Sequence, residues 1–443
     1  MSNLSDERKD YLLKQLVEYR FDKETNLKAL KELKSKLNVL TTQFNNEGNV
    51  VAYQSSRIKT ENSFLNKINT RLDNNKNLEY KEMHDIVGAR LICLSLSDVK
   101  KMVDLIKKSN IKIINEKDYI SKPKKSGYMS YHMIVEIPVT TDDGEKLVKC
   151  EIQLRTILMD IFAREEHKLS YKGNASEEDK KTLKILSDKL FFYDSAIDNL
   201  FKIDNPKLKE ESDSDLTKYK DEYNKISYMF DDIHEEYNSK INELVSEYCN
   251  SDDILHLTSR IKPIQSLKRK LERKKLSAST DDILYNIRDI VGFKIVTVDD
   301  VTAKDFIKYF VEKMGKIENL TVVNESDRLD EPKESGYRGY KINFSCNKQT
   351  INGEKTVTFE VLIRTMIMDA WALHDDKVFN NEDNYDSDYY VNATRQLKGL
   401  SPALHDVEVE LSKLKTKVGD EPEMAQADLV SEVIEYKTKK LTL

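Results

Sequence analysis

The stretch Asp85-Ile86-Val87-Gly88-Ala89-Arg90-Leu91-Ile92-Cys93-Leu94 opens on a carboxylate and runs apolar, and its first four residues return 204 positions later as Asp289-Ile290-Val291-Gly292. The match is not isolated. Arg57-Ile58-Lys59 recurs as Arg260-Ile261-Lys262 at an offset of 203, and Ser126-Gly127-Tyr128 as Ser335-Gly336-Tyr337 at 209. Gly144-Glu145-Lys146 matches Gly353-Glu354-Lys355, and Glu151-x-x-x-Arg155-Thr156 matches Glu360-x-x-x-Arg364-Thr365, both at 209. Constant order with near-constant spacing reads as a tandem duplication of a domain of about 200 residues.

Each repeat opens on a helical stripe, Leu27, Leu30, Leu33, Leu37 and Leu40 in the first and Tyr219, Tyr223, Ile226, Phe230, Ile233 and Tyr237 in the second. Three-to-four spacing of this kind is a core stripe. The β-rich run from Ile86 to Leu96 predicts a strand, and Val99 to Lys108 a helix. Tyr131 to Val139 and Leu147 to Leu154 flank Thr141-Asp142-Asp143-Gly144, which predicts a hairpin, and helices follow over Ile157 to Lys168 and Lys180 to Lys202. The expected class is α+β, each domain a mixed or antiparallel sheet flanked by helices. The expected boundaries are 1–204 for the first domain, 205–216 for a linker containing Pro206, 217–418 for the second domain and 419–443 for a tail without a readable motif.

The chain has 443 residues, of which 39% are hydrophobic and 34% charged, with only 12 Gly and 7 Pro, so it can bury real cores and is neither collagen-like nor Pro/Gly-rich and disordered. Its polar start and its lack of a bilayer-length apolar run predict no membrane span and a cytoplasmic location. A net charge of −6 gives the molecule no long-range attraction for nucleic acid, so phosphate binding falls to local basic patches. Cys93, Cys150, Cys249 and Cys346 are far apart, form no zinc-binding Cys-x-x-Cys pair, and read as reduced, buried thiols.

Asp85 and Glu151 fall at the start and end of predicted strands, where carboxylates can hold Mg²⁺ and take a proton from a hydroxyl. Around them stand Arg57, Lys59, Lys67, Arg90, Lys122, Lys124, Lys125 and Arg155, cations able to spread over a polyphosphate. A solvated charged face competes with this reading. Gly127-Tyr128 adds an aromatic ring behind a glycine-containing loop, a place to stack a base while neighbouring lysines hold phosphates.

The full set is Arg57-x-Lys59 with Ser63 and Lys67, Asp85-Ile86-Val87-Gly88-x-Arg90, Lys117-Asp118-Tyr119-Ile120 with Pro123-Lys124, Gly127-Tyr128-x-Ser130-x-His132, Glu151-Ile152-Gln153-Leu154-Arg155-Thr156, and Glu166-His167 with Tyr171-Lys172. In this order it resembles the RelA/SpoT alarmone synthetase family, and within it the small alarmone synthetases. The resemblance covers residues 10 to 202 and, less closely, 217 to 415. It implies two nucleotidyltransferase-like synthetase domains. It also implies transfer of the β,γ-pyrophosphate of ATP to the 3′-hydroxyl of GDP or GTP, giving (p)ppGpp and AMP with Mg²⁺ as cofactor. By the same resemblance, Asp85 and Glu151 hold the metal and Glu151 also activates the hydroxyl. Arg57 and Arg90 contact ATP, while Ser63, Lys59 and Lys67 belong to the same ATP site, the two lysines at its phosphates. Lys124, Tyr128, His132, Gln153 and Arg155 form the acceptor side, with Tyr128 stacking the base. Assembly into homo-oligomers is a further expectation that comes from the family.

The second repeat keeps Arg260, Lys262, Ser266, Lys270, Asp289, Lys333, Tyr337, Glu360 and Arg364. It departs where Arg90 becomes Lys294, Ser130 becomes Gly339, His132 becomes Lys341, Gln153 becomes Leu362, Glu166-His167 become Asp375-Asp376 and Tyr171-Lys172 become Asn380-Asn381. Lys cannot fork or stack as Arg does, which puts adenine binding in doubt, while the two retained carboxylates leave metal and nucleotide binding open; the second repeat reads as structural or regulatory. Three function classes stay open: a guanosine-nucleotide pyrophosphokinase, a toxic relative acting on the tRNA 3′ end or on adenine nucleotides, and a non-catalytic nucleotide-binding regulator. The negative net charge disfavours tRNA. His84-Asp85, His374-Asp375 and His405-Asp406 do not make a His-Asp metal hydrolase, because the residues before Arg57 hold no histidine to complete one.

Overall fold

The computed structural model describes residues 4–74, 76–171, 176–202, 213–248, 254–350, 353–379, 388–417 and 429–442. Cys249, Lys172, Asn380 and Asn381 lie outside them, as do the Tyr171 side chain and most of the expected linker. The chain divides into two compact units, Met1–Asp198 with Lys413–Leu443, and Asn199–Ser412.

In the first unit, α1 (Asp6–Phe21) and α2 (Lys23–Asn46) lead into β1 (Val51–Ile58), α3 (Glu61–Asp73), β2 (Val87–Cys93), α4 (Leu96–Lys108) and β3 (Lys112–Asp118). The hairpin β4 (Tyr131–Thr141) and β5 (Gly144–Thr156) follows, then α5 (Ile157–Tyr171) and α6 (Glu177–Lys202). The strands order as β1-β2-β5-β4-β3, with β2 and β5 parallel and every other pair antiparallel. The sheet is mixed, as the sequence predicts. The expected list lacks β1, β3 and α3. β1 reads VAYQSSRI and β3 is exposed along nearly all its length, so neither shows the apolar alternation that marks a strand.

Alternation sorts the two faces. Val87, Ala89, Leu91 and Cys93 of β2, with Cys150, Ile152 and Leu154 of β5 and Met133 and Val135 of β4, pack on Leu33, Leu37 and Leu40 of α2 and on Met102 and Ile106 of α4. Leu27, expected in this stripe, is 49% exposed, because the buried face of α2 runs through Asn26, Ala29, Leu33, Leu37, Leu40 and Phe44 and leaves Leu27 to one side. The opposite face is left with Gly88, Arg90, Glu151, Gln153, Arg155 and His132. Gly127 has φ +96°, and a Cβ there would come within 2.7 Å of Ser187 of α6, whose hydroxyl donates to the Gly127 carbonyl at 2.7 Å. Only glycine satisfies both the turn and this close approach.

The second unit runs α7 (Asp213–Asn224), α8 (Ser227–Tyr248), β6 (Ile254–Ile261), α9 (Ile264–Arg273), β7 (Val291–Thr297), α10 (Asp300–Met314), β8 (Leu320–Asp327), β9 (Tyr340–Thr350), β10 (Gly353–Thr365), α11 (Met366–Phe379) and α12 (Asp388–Lys417). Its strand order, β6-β7-β10-β9-β8, reproduces the first. The stripe from Tyr219 to Tyr237 breaks between α7 and α8, and its members from Ile226 onward are buried.

The stretch after Gly419 ends in α13 (Leu429–Thr442), whose Leu429 and Val433 are buried in the first unit among Leu12, Leu16, Tyr19, Phe64, Leu65 and Ile68 of α1 and α3. The Val430 amide donates to Asn62 Oδ1 at 3.3 Å, and Glu432 pairs with Lys9 at 3.4 Å. A motif-free tail thus completes a core. Cys93, Cys150 and Cys346 are buried free thiols. Among the described residues, no helix is long and apolar enough to cross a membrane.

Candidate functional site

Strand register sets the floor of the site. Arg57, Gly88 and Glu151 lie abreast on β1, β2 and β5. A Cβ at Gly88 would meet only the Glu151 carbonyl oxygen, at 3.9 Å, so the glycine leaves open space between an arginine and a carboxylate.

Asp85, in the turn before β2, takes Lys67 Nζ on Oδ2 at 2.7 Å and Lys59 Nζ at 3.2 Å. Burial pushes its carboxyl up, but the two lysines outweigh that and hold it below its usual range. The Asp85 Oδ1 atom is buried without a hydrogen-bond partner. A free carboxylate oxygen beside a second carboxylate suits a hard cation such as Mg²⁺, which uses one or two carboxylates and completes its shell with water and phosphate. The charge of Asp85 is felt at Glu151, where it opposes ionisation. Among the described residues no group of three or more His, Cys, Asp or Glu is placed to hold a metal ion.

On the strands, Glu151 belongs to a closed ring of hydrogen bonds. His132 Nδ1 is 3.0 Å from Glu151 Oε1, and His132 Nε2 is 2.8 Å from the Tyr128 hydroxyl. Arg155 Nη2 donates to that hydroxyl at 2.6 Å and to Gln153 Oε1 at 2.7 Å. Gln153 Nε2 donates to Glu151 Oε2 at 2.7 Å and closes the circuit. An ionised Glu151 only accepts, so His132 carries its proton on Nδ1 and can take the Tyr128 O–H on Nε2. Burial raises the Glu151 carboxyl, yet His132 and Gln153 bring it below its usual range, so it is ionised at neutral pH.

Asp160 of α5 anchors the arginines. Fully buried, it takes Arg155 Nη1 at 2.8 Å, Arg90 Nη1 at 3.2 Å and Arg164 Nε at 2.7 Å. Against the upward push of burial, three guanidinium groups hold it down to about 2. Arg155 Nε also donates to Ser130 Oγ at 3.2 Å. Burial lowers Arg90 to about 10, still charged at neutral pH.

Of the residues singled out in the sequence, Asp85, Lys59 and Lys67 form one cluster, and Glu151, His132, Gln153, Tyr128 and Arg155 form another. Arg90 joins the second cluster through Asp160, and Arg57 stands exposed beside Gly88. Ser63 is exposed at the start of α3, where its hydroxyl accepts from Thr60, so the structure ties it to the helix cap. Tyr128 is not displayed to solvent: it is 7% exposed, with Lys124 Nζ 4.3 Å from its ring centre and Arg155 at 5.2 Å. Its hydroxyl is drawn inward by Arg155 and His132, and Lys124 and Arg155 both lie over the ring while Tyr119 and His132 pack against it. Sequence reading missed Asp160 and Arg164. The repeat holds a signal for the first, since Met159-Asp160 returns as Met368-Asp369 at the same offset of 209.

In the second unit Asp289 repeats its counterpart, with Lys262 at 3.2 Å, Lys270 at 2.7 Å and a partnerless buried Oδ1. Arg260, Gly292 and Glu360 lie abreast on β6, β7 and β10. The ring is open, however. Leu362 replaces the glutamine, Lys341 Nζ lies 3.5 Å from Glu360 Oε2, and Tyr337 keeps only its contact with Arg364, at 3.1 Å, of the ring's bonds. Gly339 in place of Ser130 leaves Arg364 Nε buried and unpartnered. The anchor is weaker too: Leu373 stands in place of Arg164, and Asp369 pairs with Lys294 at 2.8 Å and Arg364 at 3.2 Å. Burial, with the Asp376 carboxylate nearby, pushes Asp369 up, and burial, with Arg364 and Arg260 nearby, pushes Lys294 down.

A profile of the region found in RelA / SpoT proteins matches residues 56–176 and 259–382, one segment in each unit. Over 150 residues the chain is 39% identical to the GTP pyrophosphokinase YwaC of Bacillus subtilis (strain 168), an alignment covering 33% of this chain and 71% of that protein. It is 34% identical over 165 residues to the GTP pyrophosphokinase YjbM of the same organism, covering 36% and 77%. Among solved structures, the small alarmone synthetase 2 from Bacillus subtilis aligns with 42% of this chain and 98% of its own at 32% identity, with a TM-score of 0.38.

Proposed function

We propose, from the premise that this chain belongs to the RelA/SpoT family, that it is a GTP pyrophosphokinase whose first unit carries the pyrophosphate from ATP to the 3′-hydroxyl of GDP or GTP. The observation that carries this reading is the closed ring around Glu151, intact in the first unit and open in the second.

In this reading Arg57 and Arg90 bind ATP, and Lys59 and Lys67 leave Asp85 for its phosphates, with Ser63 at the start of the same helix. Lys124, Tyr128, His132, Gln153 and Arg155 receive the acceptor nucleotide. Asp85 and Glu151 hold Mg²⁺, which neutralises charge on the transferring phosphates. A carboxylate kept below its usual range is a weak base, so Glu151 orients the hydroxyl and accepts its proton late, which suffices for a loose phosphoryl-transfer transition state. His132 and Gln153 fix both carboxylate oxygens before substrate arrives. The second unit, its ring open and its base neutralised by Lys341, is structural or regulatory.

The test is incubation of the purified protein with γ-labelled ATP, Mg²⁺ and, in parallel, GDP, GTP or bulk tRNA. Label on a guanine nucleotide with release of AMP is the expected result. Label on tRNA, or no transfer, would overturn the reading.

A further inference from the structure

The second unit contains a polar cleft of about 390 Å³ lined by Lys270, Lys274, Arg288 and Lys341 together with Asp289 and Glu360. Both carboxylates already have ammonium partners, Lys262 and Lys270 on Asp289 and Lys341 on Glu360. Three exchanges alter the charge lining this cleft relative to the first unit's site. Arg288 stands where the first unit has His84, and Lys341 where it has His132, so two imidazoles give way to a guanidinium and an ammonium. Lys149, which lies 3.5 Å from His84, becomes Thr358, so the three exchanges remove one lysine and bring in an arginine and a lysine, the latter 3.5 Å from Glu360.

The consequence concerns the metal. In the first unit Glu151 meets a histidine and a glutamine, which leave its negative charge standing for a cation to use. Asp289 keeps the two lysines and the partnerless Oδ1 of Asp85, so the change lies on the other carboxylate, where the Lys341 ammonium takes the cation's place on Glu360. With Glu360 held by an ammonium, the cleft does not fit a Mg²⁺ ion shared between its two carboxylates. Its residues do fit what Mg²⁺ normally brings with it, since an array of lysines and an arginine binds a chain of phosphates directly. Tyr285 lines the same cleft with 48% of its surface exposed and offers a ring face to a base.

We propose that the second unit is a metal-independent binding site for a nucleoside polyphosphate, in which Lys341 and Arg288 do the work that a divalent ion does in the first unit. This rests on reading the second unit as a nucleotide-binding relative of the first, and it gives that unit a ligand without turnover.

The experiment is equilibrium dialysis of the full chain against radiolabelled GTP and ATP, in excess EDTA and in Mg²⁺, comparing the natural protein with the double variant Arg288→His/Lys341→His. Lys341 is 34% exposed and Arg288 lies at the surface, so neither change disturbs a core. The natural chain is expected to retain a binding site in EDTA, and the double variant to bind at that site about tenfold or more weakly, the loss of one charge-assisted contact or more. EDTA-resistant binding that survives in the double variant would overturn the proposal. Binding by the second unit that appears only with Mg²⁺ would overturn it while leaving that unit a nucleotide site, and Mg²⁺-dependent transfer by the first unit is a separate readout that neither result touches.

Discussion

His132 Nδ1 and Glu151 Oε1 are joined at 3.0 Å, while at the same two positions of the second unit Lys341 Nζ stands 3.5 Å from Glu360 Oε2. The first pair leaves a carboxylate charged, oriented and tied to an aromatic and an arginine behind it. The second replaces that network with a bare ion pair. In the proposed division of labour between the two units, this exchange is the central structural difference.

Gln153→Leu, the substitution nature made at position 362, cuts the ring at one point without touching Asp85. A hydrogen bond to a charged group carries about 1.5–3 kcal/mol, so kcat is expected to fall about tenfold to a hundredfold with the KM for ATP little changed. Steady-state kinetics checks it, and an unchanged kcat would remove the ring from the account.

Asp160→Asn leaves Arg90, Arg155 and Arg164 without their shared counter-charge, and breaking such a buried set costs about 3–5 kcal/mol. Urea unfolding reads the loss. The native carboxyl is held at about 2 against an ordinary 3.8, so its contribution is present above pH 3.8 and is lost as pH falls toward 2. Acid unfolding of the variant is expected to lose that part of its pH dependence.

Asp194 of α6 has the opposite sign. Fully buried and bonded to Thr156 Oγ1 at 2.5 Å, it is raised by burial to about 8. Its stabilisation is complete below the unfolded value near 3.8 and declines as pH rises through about 8. Asp194→Asn is expected to flatten stability between pH 5 and about 9, and an unaltered slope there would contradict the assignment.

Leu429→Ala tests whether the last helix belongs to the first unit's core. Leu429 is 2% exposed, and truncating a buried leucine costs about 2–5 kcal/mol. Because α3 carries Lys67 and receives the Val430 amide through Asn62, the KM for ATP is expected to rise as well. Thermal unfolding and ATP titration together check it.

Much of this was legible in the residues. The repeat set the domain plan, and the apolar runs behind Asp85 and around Gly144 located β2, β4 and β5 because their buried faces alternate cleanly. β1 stayed hidden because only Val51 and Tyr53 of it are buried and its Gln54-Ser55-Ser56-Arg57 stretch is polar, and β3 because an edge strand exposed along its length needs no apolar face. Glu151, His132, Gln153, Tyr128 and Arg155 were found as residues, but their closure into one ring depends on β4–β5 register and on the rotation of Tyr128 inward. Asp160 escaped because an aspartate among apolar residues of a helix looks like a surface residue until three arginines are seen to converge on it. α13 escaped because its partners lie roughly four hundred residues away in the chain.

The most direct measurement compares Glu151→Gln with Glu360→Gln in pyrophosphate transfer from γ-labelled ATP to GDP. Glu151→Gln is expected to lower transfer by about 10²–10⁴ while ATP still binds, and Glu360→Gln to leave most of the activity. Equal losses in the two variants, or turnover persisting in Glu151→Gln, would contradict a first unit that carries the reaction on Glu151.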